Sequence, residues 1–231
     1  MDCREIIVRC IERGDVVVPE LDAQKICAEY GIVCPPSALA TDKGQCAQIA
    51  AEIGYPVVMK IVSPQVIHKS DVGGVVTGIA NAAQLEAAYE QIVQNVKQKC
   101  PEAHIEGILV QKQAPKGTEV VVGALRNEQF GPVVMFGMGG IYIEVFKDVA
   151  FRLAPLERDE ALRMIESTKV SEILKGARGG TVCDIEALAD LIVNTAKLVS
   201  DYPEVAELDF NPVFCYPEGC VAVDARIIPK K

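Results

Sequence analysis

The segment from Tyr55 to Gly78 places the tightest limits on what this chain can fold into. Its first part, Pro56 to Val62, is an apolar, β-branched run flanked by turn residues, which predicts a buried strand rather than a helix. Lys60 lies inside that strand. A lysine in an apolar strand must reach water or an anion, because burying its charge without a partner is costly. The segment therefore predicts a sheet in which one lysine snorkels to solvent or binds an anion.

A loop with one histidine and two adjacent glycines follows this strand. The histidine is His68, one of two in the chain, and the glycines are Gly73 and Gly74. Adjacent glycines allow the backbone to approach a ligand closely and to point its N–H groups at an anion. Each feature alone has an ordinary structural explanation, but a strand lysine followed by such a loop is one way to hold a nucleotide phosphate. We therefore place the candidate chemistry in this loop.

The composition limits the class of protein. The chain has 231 residues, half of them hydrophobic at 50%, so it can bury a substantial core in one large domain or two lobes. A net charge of −9 argues against binding to a nucleic-acid backbone, and the absence of tryptophan argues against stacking of single-stranded bases. No apolar run approaches the length of a membrane span. We expect a globular cytoplasmic protein that binds neither nucleic acid nor membrane.

The nine cysteines are expected to be reduced. Their number is odd, no pair has the CxxC spacing of a metal knuckle, and the charged N-terminal residues do not resemble a signal peptide. Reduced cysteines act as small buried hydrophobic residues, which is consistent with a cytoplasmic protein.

The remaining patterns alternate between helices and short strands. Apolar residues recur at three- and four-residue steps in the helices, whereas the strands are short β-branched runs bounded by turns. The predicted helices cover residues 3–13, 21–30, 45–53, 81–96, 157–165 and 185–199, and the predicted strands cover 56–62, 75–79, 106–111, 118–125, 132–136, 141–146, 205–210 and 220–227. This mixture predicts an α+β or α/β fold with two lobes rather than one stack of layers.

Oxygen-bearing side chains alternate along a strand near the C terminus. Glu207, Asp209 and Asn211 project from one face of this strand, and Asp224 lies in the next one. Carboxylate and amide oxygens suit Mg²⁺, which is commonly bound through substrate phosphates as well. A solvent-facing sheet surface with one turn-capping aspartate explains the same residues, so the pattern alone leaves both interpretations open.

The order of these features resembles the ATP-grasp fold, and within it the nucleotide-binding subunit of the ADP-forming acetyl-CoA synthetases (acetate–CoA ligases), relatives of succinyl-CoA synthetase. The matching text is YGIVCPPSALA, GYPVVMKIVSP, HKSDVGGV, FGPVVMFGMGGI, ELDFNPV and AVDARI, which together extend over nearly the whole chain. The resemblance implies an α+β fold with a nucleotide bound between two lobes. Residues 37–111 would form the small lobe, and residues 1–36 with 112–231 the large one.

The resemblance also implies roles for individual residues. His68 matches the histidine that accepts a phosphoryl group, and Asp209 matches the carboxylate that orients it. Asn211 and Asp224 match the Mg²⁺ ligands. In bound ADP or ATP, the phosphates would contact Lys60, Gly73 and Gly74. The adenine would contact the backbone of Gln111 and Lys112 at the interlobe hinge, and the ribose would lie near Glu119. Chemistry supports the first pair independently, because histidine is a nucleophile near neutral pH and a carboxylate can fix its tautomer.

By resemblance, the complete reaction converts an acyl-CoA, ADP and phosphate into the carboxylic acid, CoA and ATP. In the resembled family, CoA binding and the first phosphohistidine belong to a separate α subunit. No GxGxxG motif opens a βαβ unit in this chain, so we expect it to need such a partner, in an α₂β₂ assembly. Two alternatives remain open. One is an ordinary ATP-grasp ligase that activates a carboxylate as an acylphosphate, and the other is a nucleotide-binding regulatory subunit without turnover.

Overall fold

The structure is a computed structural model that describes residues 2–66, 68–139 and 148–230. The chain divides into two compact units. The larger unit comprises Met1–Cys34 and Pro115–Lys231, and the smaller unit comprises Pro35–Ala114. The limits of the small lobe predicted from the sequence are residues 37 and 111. The predicted strand over residues 141–146 lies outside the described residues.

Helices and strands alternate along the described chain. The helices are α1 (Cys3–Arg13), α2 (Glu20–Glu29), α3 (Lys43–Ile53), α4 (Ala82–Lys99), α5 (Arg158–Glu166), α6 (Val170–Leu174) and α7 (Ile185–Asp201). The strands are β1 (Ser37–Ala40), β2 (Val57–Val62), β3 (Val75–Ile79), β4 (Gly107–Lys112), β5 (Thr118–Asn127), β6 (Gly131–Met138), β7 (Val149–Leu153), β8 (Val205–Cys215), β9 (Cys220–Ala222) and β10 (Ala225–Pro229). The strands pair antiparallel, which confirms the α+β class.

The smaller unit is a four-stranded sheet in the order β1-β4-β2-β3, with α3 and α4 packed on one face. Val57, Met59 and Ile61 of β2 share a buried core with Ile92 of α4. Because side chains alternate along a strand, Lys60 points to the face away from the helices. The strand predicted around Lys60 is β2, one of the two central strands of this sheet.

The helix α4 has the capped amphipathic pattern that the sequence predicts. The Asn81 side chain accepts a hydrogen bond of 3.0 Å from the backbone N–H of Gln84, which satisfies one unpaired donor of the first turn. The helix buries one stripe toward the sheet, formed by Leu85, Ala88, Ile92 and Val96. In its last two turns, Asn95 and Lys99 contact the loop that carries His68, as described below.

The larger unit is a six-stranded sheet in the order β10-β8-β5-β6-β7, with β9 paired to β8. Val122, Phe136 and Phe210 oppose one another on three neighbouring strands and are fully buried with Leu188 and Ile192 of α7. The next residue along each strand points to the other face of the sheet. That second face carries Asp209, which is opposite Gly123 on β5.

Three details of the larger unit differ from the sequence prediction. The edge strand β7 was not predicted, because its exposed Phe151 and Leu153 flank an arginine and give no clear alternation of buried residues. The predicted strand over residues 220–227 is divided into β9 and β10 at Val223 and Asp224. The short helix α6 was also missed. Among the described residues, no helix is long and apolar enough to cross a membrane.

Candidate functional site

Lys60 occupies the middle of the smaller sheet. It lies opposite Val75 on β3 and Leu109 on β4, so hydrogen-bonded strands fix its backbone on both sides. Only 7% of the residue is exposed. Lys60 is therefore not a lysine that snorkels to solvent, and its predicted contact with the nucleotide phosphates stays a prediction.

The loop after β2 folds back on itself around His68. The His68 carbonyl accepts a hydrogen bond of 3.2 Å from the N–H of Asp71, and the side chain of His68 is exposed. The N–H of Gly73 donates to the carbonyl of Ser70 at 3.0 Å, and the N–H of Gly74 donates to that of Lys69 at 2.7 Å. Both glycine N–H groups therefore have acceptors inside the loop. The expectation that they point at an anion is wrong for this conformation.

Close packing explains the two glycines instead. Gly73 has a φ of +68°, and a Cβ atom there would lie 2.6 Å from Nδ2 of Asn95 on α4. A Cβ atom on Gly74 would lie 2.5 Å from Cγ2 of Ile61 and 3.0 Å from the Lys69 carbonyl oxygen. Only glycine lets the loop lie this close to β2 and α4. Their predicted contact with the nucleotide stays a prediction.

Two side chains of α4 hold the end of this loop. Nδ2 of Asn95 donates to the carbonyl of Gly73 at 3.0 Å, and Nζ of Lys99 donates to the carbonyl of Asp71 at 3.0 Å. These bonds lie on the C-terminal side of His68. Sequence reasoning missed both residues, because a polar residue on a helix carries no sign of which loop it will contact.

The end of β4 carries the two residues predicted to lie beside an adenine. Gln111 is 1% exposed and pairs with Ser37 and Val58 in the sheet. Nζ of Lys112 donates to the carbonyls of Gly54 and Tyr55 at 2.9 Å each. The backbone N–H of Lys112 also donates to the carbonyl of Pro36 at 2.8 Å. The Lys112 side chain and N–H thus have structural partners, and its predicted backbone contact with adenine remains untested.

Asp209 lies at the centre of the outer face of the larger sheet, which is the face that points away from α7. It is opposite Arg226 on β10 and Gly123 on β5, and directly opposed residues point to the same face. Burial raises the pKa of the Asp209 carboxyl from 3.8 to about 6, while the nearby Arg226 lowers it and Glu207 and Asp224 raise it further. Sequence reasoning missed Arg226. Its only signal is a charged residue between the apolar positions of a strand.

Asn211 and Asp224 lie next to each other beside Asp209. The N–H of Asn211 donates to the carbonyl of Asp224 at 3.3 Å, and both residues are exposed. Their side chains offer one amide oxygen and one carboxylate, which fits a hard cation such as Mg²⁺. In the parts of the chain that the structure describes, no group of three or more His, Cys, Asp or Glu could hold a metal. A cation here would therefore need further oxygen ligands, which nucleotide phosphates and water supply.

Glu119 stands apart from these residues. It is exposed on β5, where it pairs with Phe214, and its carbonyl accepts a hydrogen bond of 3.1 Å from the N–H of Gly139. The larger unit thus brings together Asp209, Asn211 and Asp224, with Glu119 farther along the same pair of strands. In the smaller unit, Lys60 lies on β2, and the loop that carries His68 joins β2 to β3.

Comparison with known proteins identifies the family. A family model for the ATP-grasp domain matches residues 9–228. The β subunit of acetate–CoA ligase [ADP-forming] I from Pyrococcus furiosus is 47% identical over 97% of this chain and 97% of its own. The chain belongs to this ATP-grasp family of acetate–CoA ligase β subunits. The acetate–CoA ligase [ADP-forming] I of Archaeoglobus fulgidus is 46% identical over 97% of this chain, which corresponds to 32% of that longer protein.

This chain is also similar to solved structures of acetyl-coenzyme A synthetase 1 from Ca. Korarchaeum cryptofilum. A complex with coenzyme A, Ca-AMPCP and HgCl⁺ has a TM-score of 0.96 at 44% identity, covering 99% of this chain and 100% of that one. A second complex contains coenzyme A and Mg-AMPPCP, with a phosphohistidine segment pointing towards the nucleotide-binding site. It has a TM-score of 0.88 at 40% identity, with coverage of 99% and 100%.

Proposed function

We propose that this chain is the nucleotide-binding β subunit of an ADP-forming acetate–CoA ligase and that it transfers a phosphoryl group through His68 to ADP. The observation that carries the proposal is the exposed His68 in a chain that matches a β subunit along 97% of its length. The similar synthetase whose phosphohistidine segment points towards its nucleotide-binding site supports the same role.

The complete reaction requires a partner. The chain accounts for about a third of the single-chain relative from Archaeoglobus fulgidus, at 32% of its length, so the remaining two thirds of that protein correspond to sequence outside this chain. We propose an α subunit that binds CoA and carries the first phosphohistidine, assembled with this chain as α₂β₂. The reaction is then acyl-CoA, ADP and phosphate to carboxylic acid, CoA and ATP.

The chemistry that we assign to this chain is positioning and proton control around His68. A neutral imidazole nitrogen attacks phosphorus, and a carboxylate hydrogen-bonded to the other ring nitrogen fixes the tautomer and stabilises positive charge on the ring. We assign that carboxylate to Asp209. We assign Mg²⁺ to Asn211 and Asp224, and when bound it neutralises charge on the nucleotide phosphates. The buried Lys60 would add a second positive charge at the phosphates.

The remaining assignments concern nucleotide binding. We propose that ADP and ATP contact the loop at Gly73 and Gly74, the backbone of Gln111 and Lys112 beside the adenine, and Glu119 beside the ribose. Because the glycine N–H groups have acceptors within the loop, the loop would cover the phosphates through close approach of its backbone or would rearrange on binding.

The test is phosphorylation of the chain by γ-labelled ATP and Mg²⁺, alone and with any co-purifying partner. We expect acid-labile, base-stable label on the wild type and none on His68→Asn. The matched control is His104→Asn, because His104 is the other histidine and is also exposed. Absence of label in the wild type, with ATP still bound, would refute the relay and leave the ordinary acylphosphate ligase.

A further inference from the structure

Arg226 occupies a position that the assigned chemistry does not use. It lies on β10 directly opposite Asp209, and its neighbours Ala225 and Ile227 are buried in the core. Alternation along the strand therefore places the Arg226 side chain on the outer face of the sheet, beside Asp209. This is the face that also carries Glu207.

The Arg226 guanidinium has an unsatisfied donor. Its Nε atom is buried and has no hydrogen-bond partner among the residues that the structure describes. A buried N–H of a charged group without an acceptor costs more than a neutral one, and native proteins rarely keep such groups without a purpose. A ligand oxygen that accepts from this Nε would remove the cost.

Arg226 brings a positive charge among the carboxylates of Glu207, Asp209 and Asp224. Glu207 and Asp224 are close enough to raise the pKa of Asp209, and Arg226 is close enough to lower it. A phosphoryl group approaching these carboxylates meets repulsion unless cations accompany it. On the other side of Asp209 from Arg226, Gly123 of β5 places no side chain against the carboxylate.

We propose that Arg226 binds the phosphoryl group while it moves between His68 and the nucleotide. A guanidinium presents parallel N–H donors that match two oxygens of a phosphoryl group, and it does not lose its proton. This inference rests on the proposed function of the chain and adds a residue to it.

The step balances without a proton on Arg226. The N–P bond of phosphorylated His68 breaks with its electron pair staying on nitrogen, and an O–P bond forms from a terminal oxygen of ADP. The proton on the other ring nitrogen stays there, so neutral imidazole leaves. In between, charge is spread over three oxygens of the phosphoryl group, and Arg226 donates hydrogen bonds to two of them.

The experiment compares Arg226→Met and Arg226→Lys with the wild type. We measure the rate of His68 labelling by γ-labelled ATP and Mg²⁺, and separately the affinities for Mg·ADP and for a non-hydrolysable β,γ-imido ATP by calorimetry. Arg163→Met, which removes an exposed arginine from α5, controls for the loss of one positive charge.

For Arg226→Met we expect labelling to slow by about 100-fold, as is typical when one donor to a developing oxyanion is removed. The affinity for the imido ATP should fall by about 10-fold and that for ADP by less than about threefold, because only the former has the third phosphate. Arg226→Lys should lie between, since it keeps the charge but loses the paired donors.

Other outcomes would overturn the inference. If both nucleotides bind equally well to wild type and Arg226→Met and labelling is unchanged, Arg226 is only a structural partner of Asp209. If labelling by Arg226→Met recovers at high pH, Arg226 acts only by keeping Asp209 ionised. If the wild type is not labelled at His68, the proposed relay fails, and unchanged imido-ATP affinity would then refute the Arg226 contact as well.

Discussion

Replacing Asp209 with asparagine should stabilise the free chain at neutral pH while abolishing phosphoryl transfer. The carboxyl has a pKa raised from 3.8 to about 6 by burial, so the folded state holds its proton more tightly than the unfolded state does. Between those two pH values the unfolded chain ionises first. The wild type therefore loses stability as pH rises from about 4 to about 6, and asparagine, which cannot ionise, does not.

The size of the effect follows from the same two values. A change from 3.8 to about 6 corresponds to about 3 kcal/mol when the carboxyl is fully ionised in both states. The Asp209 side chain is only partly buried, so water and salt screen part of this cost. We expect Asp209→Asn to gain about 1–2 kcal/mol at pH 8 and almost nothing near pH 4.

The assay is urea unfolding followed by far-ultraviolet circular dichroism, at several pH values between 4 and 8, without nucleotide and with a chelator. Glu218→Gln, in the exposed turn between β8 and β9, removes one carboxylate elsewhere in the same unit and serves as the control. A constant difference between Asp209→Asn and wild type across this pH range would refute the reasoning. So would a variant less stable than wild type at pH 8.

Further substitutions test the packing around the site. Gly74→Ala should cost about 2 kcal/mol in urea unfolding, because its Cβ atom would overlap Ile61, and a cost below about 0.5 kcal/mol would contradict that packing. Asn95→Ala should speed hydrogen exchange of the backbone amides at 71–74, since it removes the bond to the Gly73 carbonyl; unchanged exchange would contradict the anchor. Asp184→Ala should lower stability at pH 7 by about 1 kcal/mol, because Asp184 caps α7 and accepts from the N–H of Gly219. Those backbone donors lower the pKa of Asp184, so the difference from wild type should shrink as pH falls below 3.8, and a difference that persists there would count against the cap.

Much of the fold could be predicted because its information is local. The cap at Asn81 and the apolar stripe of α4 are written in adjacent residues, and so is the buried run of β2. The edge strand β7 could not be predicted in this way. It exposes Phe151 and Leu153, so its pairing with β6 comes from backbone hydrogen bonds rather than from a buried face.

The candidate site was predicted less completely, because its details depend on register and packing. The sequence shows Asp209 in a strand, but only the pairing of β8 with β10 shows that Arg226 is opposite it. It likewise suggests that Gly73 and Gly74 expose their N–H groups, whereas the loop uses both groups internally. The acceptors are the carbonyls of Ser70 and Lys69, and only the folded loop brings them within hydrogen-bond distance of these N–H groups.

In the sequence, the smaller unit is one continuous segment that interrupts the larger one, and this order has a consequence for synthesis on the ribosome. The N-terminal helices emerge first, yet Val18 donates its N–H to the carbonyl of Ile227, and the carbonyl of Val33 accepts from Ala222. The smaller unit has its own core and can fold as soon as it has emerged. The apolar faces of α1 and α2 gain these partners only after β9 and β10 have been synthesised, so we expect nascent chains stalled before β8 to need chaperones at α1 and α2.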